Sequence, residues 1–113
     1  LKTAITQWSN VGGLISGLHS NDFDLIGRSL VDLVAEPNRK KLIPLFDDVK
    51  QSAIAAGALG AGISGSGPSI FALSKNLETA QKVETAMDAV YKNSGIDYST
   101  YVSHISKTGT LIQ

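Results

Sequence analysis

The chain has 113 residues, 42% of them hydrophobic and 18% charged, with a mean hydropathy of +0.07; that describes one ordinary domain burying about two thirds of its unfolded surface, and excludes a disordered tail or a coiled coil. Ten Lys plus Arg offset ten Asp plus Glu, so the chain as a whole carries no electrostatic footprint for nucleic acid or an anionic membrane. Cysteine is absent, which excludes disulfides, thiolate metal sites and cysteine nucleophiles, and no apolar run nears the roughly 20 residues of a membrane span, so a cytoplasmic location is expected.

Leu1, Ile5, Trp8, Val11, Leu14, Ile15 and Leu18 recur at spacings of three and four, which predicts an amphipathic helix with one buried stripe. No capping residue precedes it, so the chain is expected to be a piece of a longer protein, with a poorly ordered terminus as the alternative. Asn21 or Asp22 is placed to cap a second helix carrying Phe23, Leu25, Ile26, Leu30, Leu33 and Val34, which Pro37 stops. These two helices are expected to run antiparallel. Between Pro37 and Pro44 lie three consecutive cations and room for one helical turn, which reads as a surface connector. Pro44 suits the first position of a third helix with Leu45, Phe46, Val49, Ala53 and Ile54 on its stripe, and Gly57 suits a left-handed end to it.

From Gly57 to Ser69 the chain is too rich in glycine for a stable helix. The pattern predicts a strand over Leu59 to Ser64, a turn through Gly65-Ser66-Gly67-Pro68 and a return strand along Ser69 to Ser74. Leu77, Ala80, Val83, Met87 and Val90 trace a fourth helix, with Glu78 and Lys82 as an i,i+4 pair and Gly95 past its end. Tyr101 to Ser106 is predicted as a last strand, with Thr110 to Gln113 pairing after a turn at Gly109. This order fits an α+β fold, a ferredoxin-like antiparallel sheet with helices packed on one face, better than a doubly wound parallel sheet.

The glycine-rich stretch satisfies several short motifs only by letter. Gly60-Ala61-Gly62-Ile63-Ser64-Gly65 reads G-x-G-x-x-G, but Pro68 and a strand follow where the dinucleotide fingerprint requires a helix. A Walker A loop fails because Pro68 stands where its Lys belongs, and neither Ser64 nor Ser66 is placed as a nucleophile elbow. Physically, the run offers N–H groups unshielded by side chains, with hydroxyls at Ser64, Ser66 and Ser69, which suits an anion-binding nest. A tight hairpin with small residues demanded by packing is the alternative.

The stretch Gly57-Ala58-Leu59-Gly60-Ala61-Gly62-Ile63-Ser64-Gly65-Ser66-Gly67-Pro68-Ser69-Ile70-Phe71-Ala72-Leu73 resembles, without a gap, the third signature of the GHMP small-molecule kinases. Gly27-Arg28-Ser29-Leu30, Glu36-Pro37-Asn38-Arg39-Lys40-Lys41-Leu42-Ile43-Pro44 and Ser103-His104-Ile105-Ser106-Lys107-Thr108-Gly109 are similar to the homoserine kinase branch of that family. The resemblance implies that residues 1–113 form the C-terminal domain of a two-lobed enzyme whose N-terminal, ATP-binding lobe is not in this sequence. Such an enzyme transfers the γ-phosphate of ATP, with Mg²⁺, to the hydroxyl of L-homoserine, giving O-phospho-L-homoserine in threonine biosynthesis.

By the same resemblance Ser64, Gly65, Ser66 and Gly67 lie against the bound phosphates and steady the loop that holds them. Arg39 holds the homoserine carboxylate, a role that guanidinium geometry suits. Asn10 matches a family asparagine on the substrate side; a plain helix-face polar residue is its alternative. Lys40 and Lys41 are expected to be solvated, Arg28 to be a surface or interlobe residue, and His19 and His104 to have no catalytic role. No catalytic residue or metal ligand is expected in this stretch. The family's Pro-x-x-x-Gly-Leu-Gly-Ser-Ser-Ala loop is missing from it, so the isolated chain is expected neither to turn over nor to bind ATP or Mg²⁺ tightly. A homodimer is admitted, and no nucleic acid or membrane partner is expected. The alternatives are a GHMP kinase acting on a sugar or isoprenoid alcohol, a non-catalytic amino-acid-binding regulatory module, and an oligomerising unit.

Overall fold

The computed structural model describes residues 1–109 and 112; the pairing expected of Thr110 to Gln113 therefore lies outside the described residues, Ile112 apart. The first helix, α1 (Lys2–Ser20), forms as its period predicts and has no side-chain cap. Its apolar stripe, however, faces outward: Trp8 is 69% exposed, and Ile5, Val11, Ile15 and Leu18 are exposed with it. Gln7, Asn10, Gly13, Leu14 and Gly17 turn inward instead. The reason is close approach to α2 (Phe23–Ser29), since a Cβ at Gly17 would stand 2.8 Å from Ile26 Cγ1 and 3.2 Å from the Asp22 carbonyl oxygen. A row of small residues brings the helices together, and the large apolar side chains occupy the face left over.

Asn21 ends α1 in the left-handed region at φ 55, and Asp22 caps α2 by accepting the Leu25 N–H at 3.1 Å. The second helix stops at Ser29, well short of the expected Pro37. Asp32 is the cause, because its carboxylate accepts the N–H groups of Val34, Ala35 and Glu36 at 2.9, 2.9 and 3.2 Å and so competes with a continuing helical ladder. A one-turn helix, α3 (Glu36–Arg39), and a 3₁₀ turn (Lys40–Leu42) follow, as a short connector between two prolines requires. Pro44 does not begin the next helix. It occupies a turn closed by the Phe46 N–H on the Ile43 carbonyl at 3.3 Å, with Leu45 at φ 60, and α4 (Phe46–Ala55) starts beyond it. The fixed φ of proline serves the turn rather than the helix start.

α4 ends as expected at Gly57, φ 113, where the N–H groups of Gly57 and Ala58 return to the carbonyls of Ile54 and Ala53, both at 3.0 Å. Strands β1 (Gly60–Ile63) and β2 (Ile70–Leu73) are antiparallel, with Gly60 opposite Leu73 and Ile63 opposite Ile70. Outer bonds from the Leu59 N–H to Leu73 (2.7 Å) and the Ser64 N–H to Ser69 (2.8 Å) carry the pairing to the predicted hairpin ends. Because strand side chains alternate, Ala61 faces α4 and α5 (Leu77–Tyr91) in a core of small residues with Ala53, Ala58 and Val83. Gly60 and Gly62 face the other way, under Leu30 and Glu36. Asn76 caps α5 by accepting the Thr79 N–H at 2.8 Å, and the exposed Glu78–Lys82 pair forms at 3.8 Å. The architecture is α+β, and no described helix is long and apolar enough to cross a membrane.

The strand expected over Tyr101 to Ser106 does not form; the described sheet has two strands. A cleft of about 600 Å³ lies between the segment 96–103 and Ile70, Phe71 and Ala72, so that segment meets no ladder partner along β2. It is held by side chains instead. Tyr98 donates to Asp88 Oδ1 at 2.7 Å, its ring centroid 5.5 Å from that of Tyr91, and this bond to a carboxylate holds the Tyr98 phenol above its ordinary pKa.

Gly17→Ala is expected to destabilise the chain by about 1–3 kcal/mol through overpacking, read as a lower urea midpoint with an unchanged slope. Gly12→Ala, with nothing within 4 Å of the added carbon, should raise the midpoint, by about 0.5–1 kcal/mol of helix propensity.

Candidate phosphate and carboxylate site

The turn between the strands is shaped by its own backbone. The Gly67 N–H returns to the Ser64 carbonyl at 3.2 Å, Gly65 and Gly67 have φ of 62 and 85, and the Gly67–Pro68 peptide is cis. Positive φ at both positions favours glycine over any residue with a Cβ. Among the described residues the N–H groups of Gly65 and Ser66 have no acceptor, and Ser64, Gly65 and Ser66 are exposed. Two adjacent free N–H groups beside two hydroxyls are what an anion-binding nest supplies. The turn rests on the Leu-Ile-Pro segment: a Cβ at Gly67 would lie 3.4 Å from Ile43 Cδ1, and Ile43 is buried while Leu42 is exposed.

Arg39, exposed at the end of α3, donates from Nη1 to the Ser66 carbonyl at 3.0 Å. The structure thus joins two candidate residues that are 27 positions apart. One N–H of the guanidinium is used in this way, and the rest of the fork is open to a planar anion. Asn10 sits elsewhere. Its Nδ2 donates to the Val31 carbonyl at 3.2 Å, and nearby Gln7 Oε1 accepts the Leu33 N–H at 2.9 Å; both bonds tie the connector to α1. Among the described residues no hydrogen bond links Asn10 to Arg39 or to the turn. Lys40 pairs with Asp47 at 3.3 Å, and Lys41, Arg28, His19 and His104 are exposed.

Three further residues shape the site without having been singled out from the sequence. Lys50 Nζ, from α4, lies 2.6 Å from Glu36 Oε2, with the two side chains only 22% and 13% exposed. The same ammonium stands 5.9 Å from the centroid of the Phe46 ring. Glu36 Oε1 is buried, unpartnered, and within 3.4 Å of where a Cβ on Gly62 would be. No spacing rule pairs residues 36 and 50, and none marks Asp32, which lies four residues ahead of the first residue of α3 and is not its N-cap, Ala35. Burial raises the Asp32 pKa, but its three backbone N–H bonds and the charge of Lys50 outweigh that and hold it below the usual carboxylate value. No group of three or more His, Cys, Asp or Glu among the described residues is placed to hold a metal.

Fold and site together describe an α+β domain in which a glycine turn with bare N–H groups is set beside one placed guanidinium. The chain belongs to the GHMP kinase family, matching the model described as GHMP kinases C terminal over residues 14–93. It is 52% identical over 99% of its length to the homoserine kinase of Chlorobaculum tepidum, covering 35% of that protein. Against the homoserine kinase of Pyrococcus abyssi it is 40% identical over 96% of its length, covering 35% of it. The crystal structure of homoserine kinase from Cytophaga hutchinsonii superposes with a TM-score of 0.89 at 55% identity, covering 93% of this chain and 33% of that one. The chain therefore spans about a third of the length of the relatives it matches.

Because Asp32 has a lowered pKa in the fold, its stabilisation is complete above the unfolded value of about 3.9 and is lost as pH falls through the lower folded value. Urea midpoints followed downward from neutral pH should fall more steeply below about pH 4 in the native chain than in Asp32→Asn; equal slopes would mean that Asp32 is not strongly held.

Proposed function

We propose that the chain is the C-terminal lobe of a longer kinase that transfers the γ-phosphate of ATP to the hydroxyl of L-homoserine, giving O-phospho-L-homoserine for threonine biosynthesis in the cytoplasm. One observation carries this reading: the Arg39 guanidinium is bonded to the Ser66 carbonyl of the glycine turn, so a carboxylate binder and a set of free N–H groups adjoin. In this reading the unused edge of Arg39 takes the α-carboxylate of the amino acid in a bidentate fork. Ser64, Gly65, Ser66 and Gly67 lie against the phosphates and steady the loop that holds them. Asn10 belongs to the acceptor side, supported by its bond to the connector that carries Arg39.

Transfer forms a bond from the acceptor oxygen to the γ-phosphorus and breaks the bond to the β,γ-bridging oxygen; ADP leaves and the hydroxyl gives up its proton. Such a reaction depends on positioning and on charge stabilisation more than on covalent help from the protein. The residues of this lobe supply the first of these. Mg²⁺ would neutralise phosphate charge when bound. The exposed face of α1, with Trp8 at its centre, is where the remaining lobe packs in this proposal, because one contiguous apolar stripe of that size is costly to leave in water. The three-fold greater length of the relatives supports the same arrangement.

In the full-length enzyme Arg39→Ala is expected to raise the homoserine KM on the order of 10- to 100-fold, the worth of hydrogen bonds to a charged group, with a much smaller change for ATP. Initial-rate kinetics with each substrate varied in turn measures this. An unchanged homoserine KM would sink the assignment, and turnover of a sugar or isoprenoid alcohol in preference to homoserine would move the reading to another GHMP kinase.

A further inference from the structure

We infer that Glu36 and Lys50 are a positioning pair, which sets the orientation of α3 and thereby aims Arg39; the inference rests on the reading that Arg39 holds the acceptor carboxylate. A helix of four residues has no stability of its own, since isolated helices below about 12–15 residues are marginal in water. Its orientation must come from tethers. Asp32 holds its N-terminal N–H groups, and Asn10 and Gln7 hold the connector before it. Those tethers hold the backbone at its start. The Glu36–Lys50 contact adds one that begins at a side chain of α3 itself and ends on the longer α4.

Glu36 and Arg39 are three residues apart and are therefore neighbours on the helix surface. One reaches inward over Gly62 of β1, the other outward to Ser66 in the turn. The short helix thus lies over the hairpin at Glu36 and bonds to it at Arg39, and any rotation that frees Glu36 displaces Arg39 as well. The chemistry of the pair argues for placement rather than stability. A buried ion pair is a poor source of net stability, and Glu36 Oε1 is left buried without a partner, which a residue serving packing alone would avoid. Lys50 Nζ also stands 5.9 Å from the centroid of the Phe46 ring, within reach of a cation–π contact.

The pair is tested in two proteins. In the 113-residue chain, whose only arginines are Arg28 and Arg39, Lys50→Met should shift the Arg39 Nε–Hε resonance and the amide resonances of Ser66 and Gly67, while Arg28 stays put. In the full-length kinase Lys50→Met should raise the homoserine KM about tenfold, leave the ATP KM unchanged, and add nothing further in an Arg39→Ala background; Lys50→Arg should restore the native value. Glu36→Gln, which keeps the shape of the side chain and removes its charge, is the second variant and should show the same resonance shifts. Unmoved Arg39 and turn resonances in both variants, or an effect of Lys50→Met that persists undiminished in the Arg39→Ala background, would overturn the inference. An Arg39→Ala enzyme with native homoserine KM would instead overturn the carboxylate reading, and the resonance shifts then decide the positioning role alone.

Discussion

A carboxylate taken out of water must bring a counter-charge with it, and Glu36 finds one in Lys50 at 2.6 Å. That single contact joins the connector that carries Arg39 to α4, and it holds the Glu36 side chain over Gly62 of β1. Around it the other polar contacts fall into place. Asp32 gathers three N–H groups at the start of α3, and the ring of Phe46 backs the ammonium. Without such a tether a one-turn helix would be one conformer among many.

The hairpin shows the complementary constraint, that small residues are needed wherever something else must come close. Gly60 and Gly62 leave room for Leu30 and Glu36, and Ala61 meets Ala53 and Ala58 on the opposite face. The same economy of side chains in the turn leaves the Gly65 and Ser66 N–H groups bare. A stretch that packs through its lack of bulk thus also leaves backbone N–H groups bare, so packing and the proposed anion-binding role ask for the same glycines. Anion handling of the kind proposed, by N–H groups and one guanidinium, would require no excess of basic residues, which is compatible with a net charge of +0.

Much of the architecture is legible in periodicity and punctuation. The helices beginning near Leu1, Asp22 and Asn76, the Gly57 stop and the antiparallel hairpin follow from apolar spacing, caps and glycine placement, because these act over one or two turns of chain. The boundaries that differ are those set by a distant or competing partner. Asp32 cut the second helix short with its own side chain, a turn took Pro44 away from the third, and the segment from Tyr101 stayed out of the sheet because it lies across a cleft from β2. Within this chain the apolar stripe of α1 is left exposed, since Gly13 and Gly17 carry the close approach to α2.

Sequence by itself determined the α+β class, the hairpin and its glycine turn, the family, and the choice of Arg39 and the residues 64–67 as the ones to watch. Only the tertiary structure decided that Arg39 reaches Ser66, that Asn10 holds the connector, and that Glu36 meets Lys50 across 14 positions. The division has a physical cause. Helix, cap and turn propensities are properties of neighbours along the chain, whereas a guanidinium at a carbonyl or an ammonium at a buried carboxylate depends on how whole elements are laid against one another.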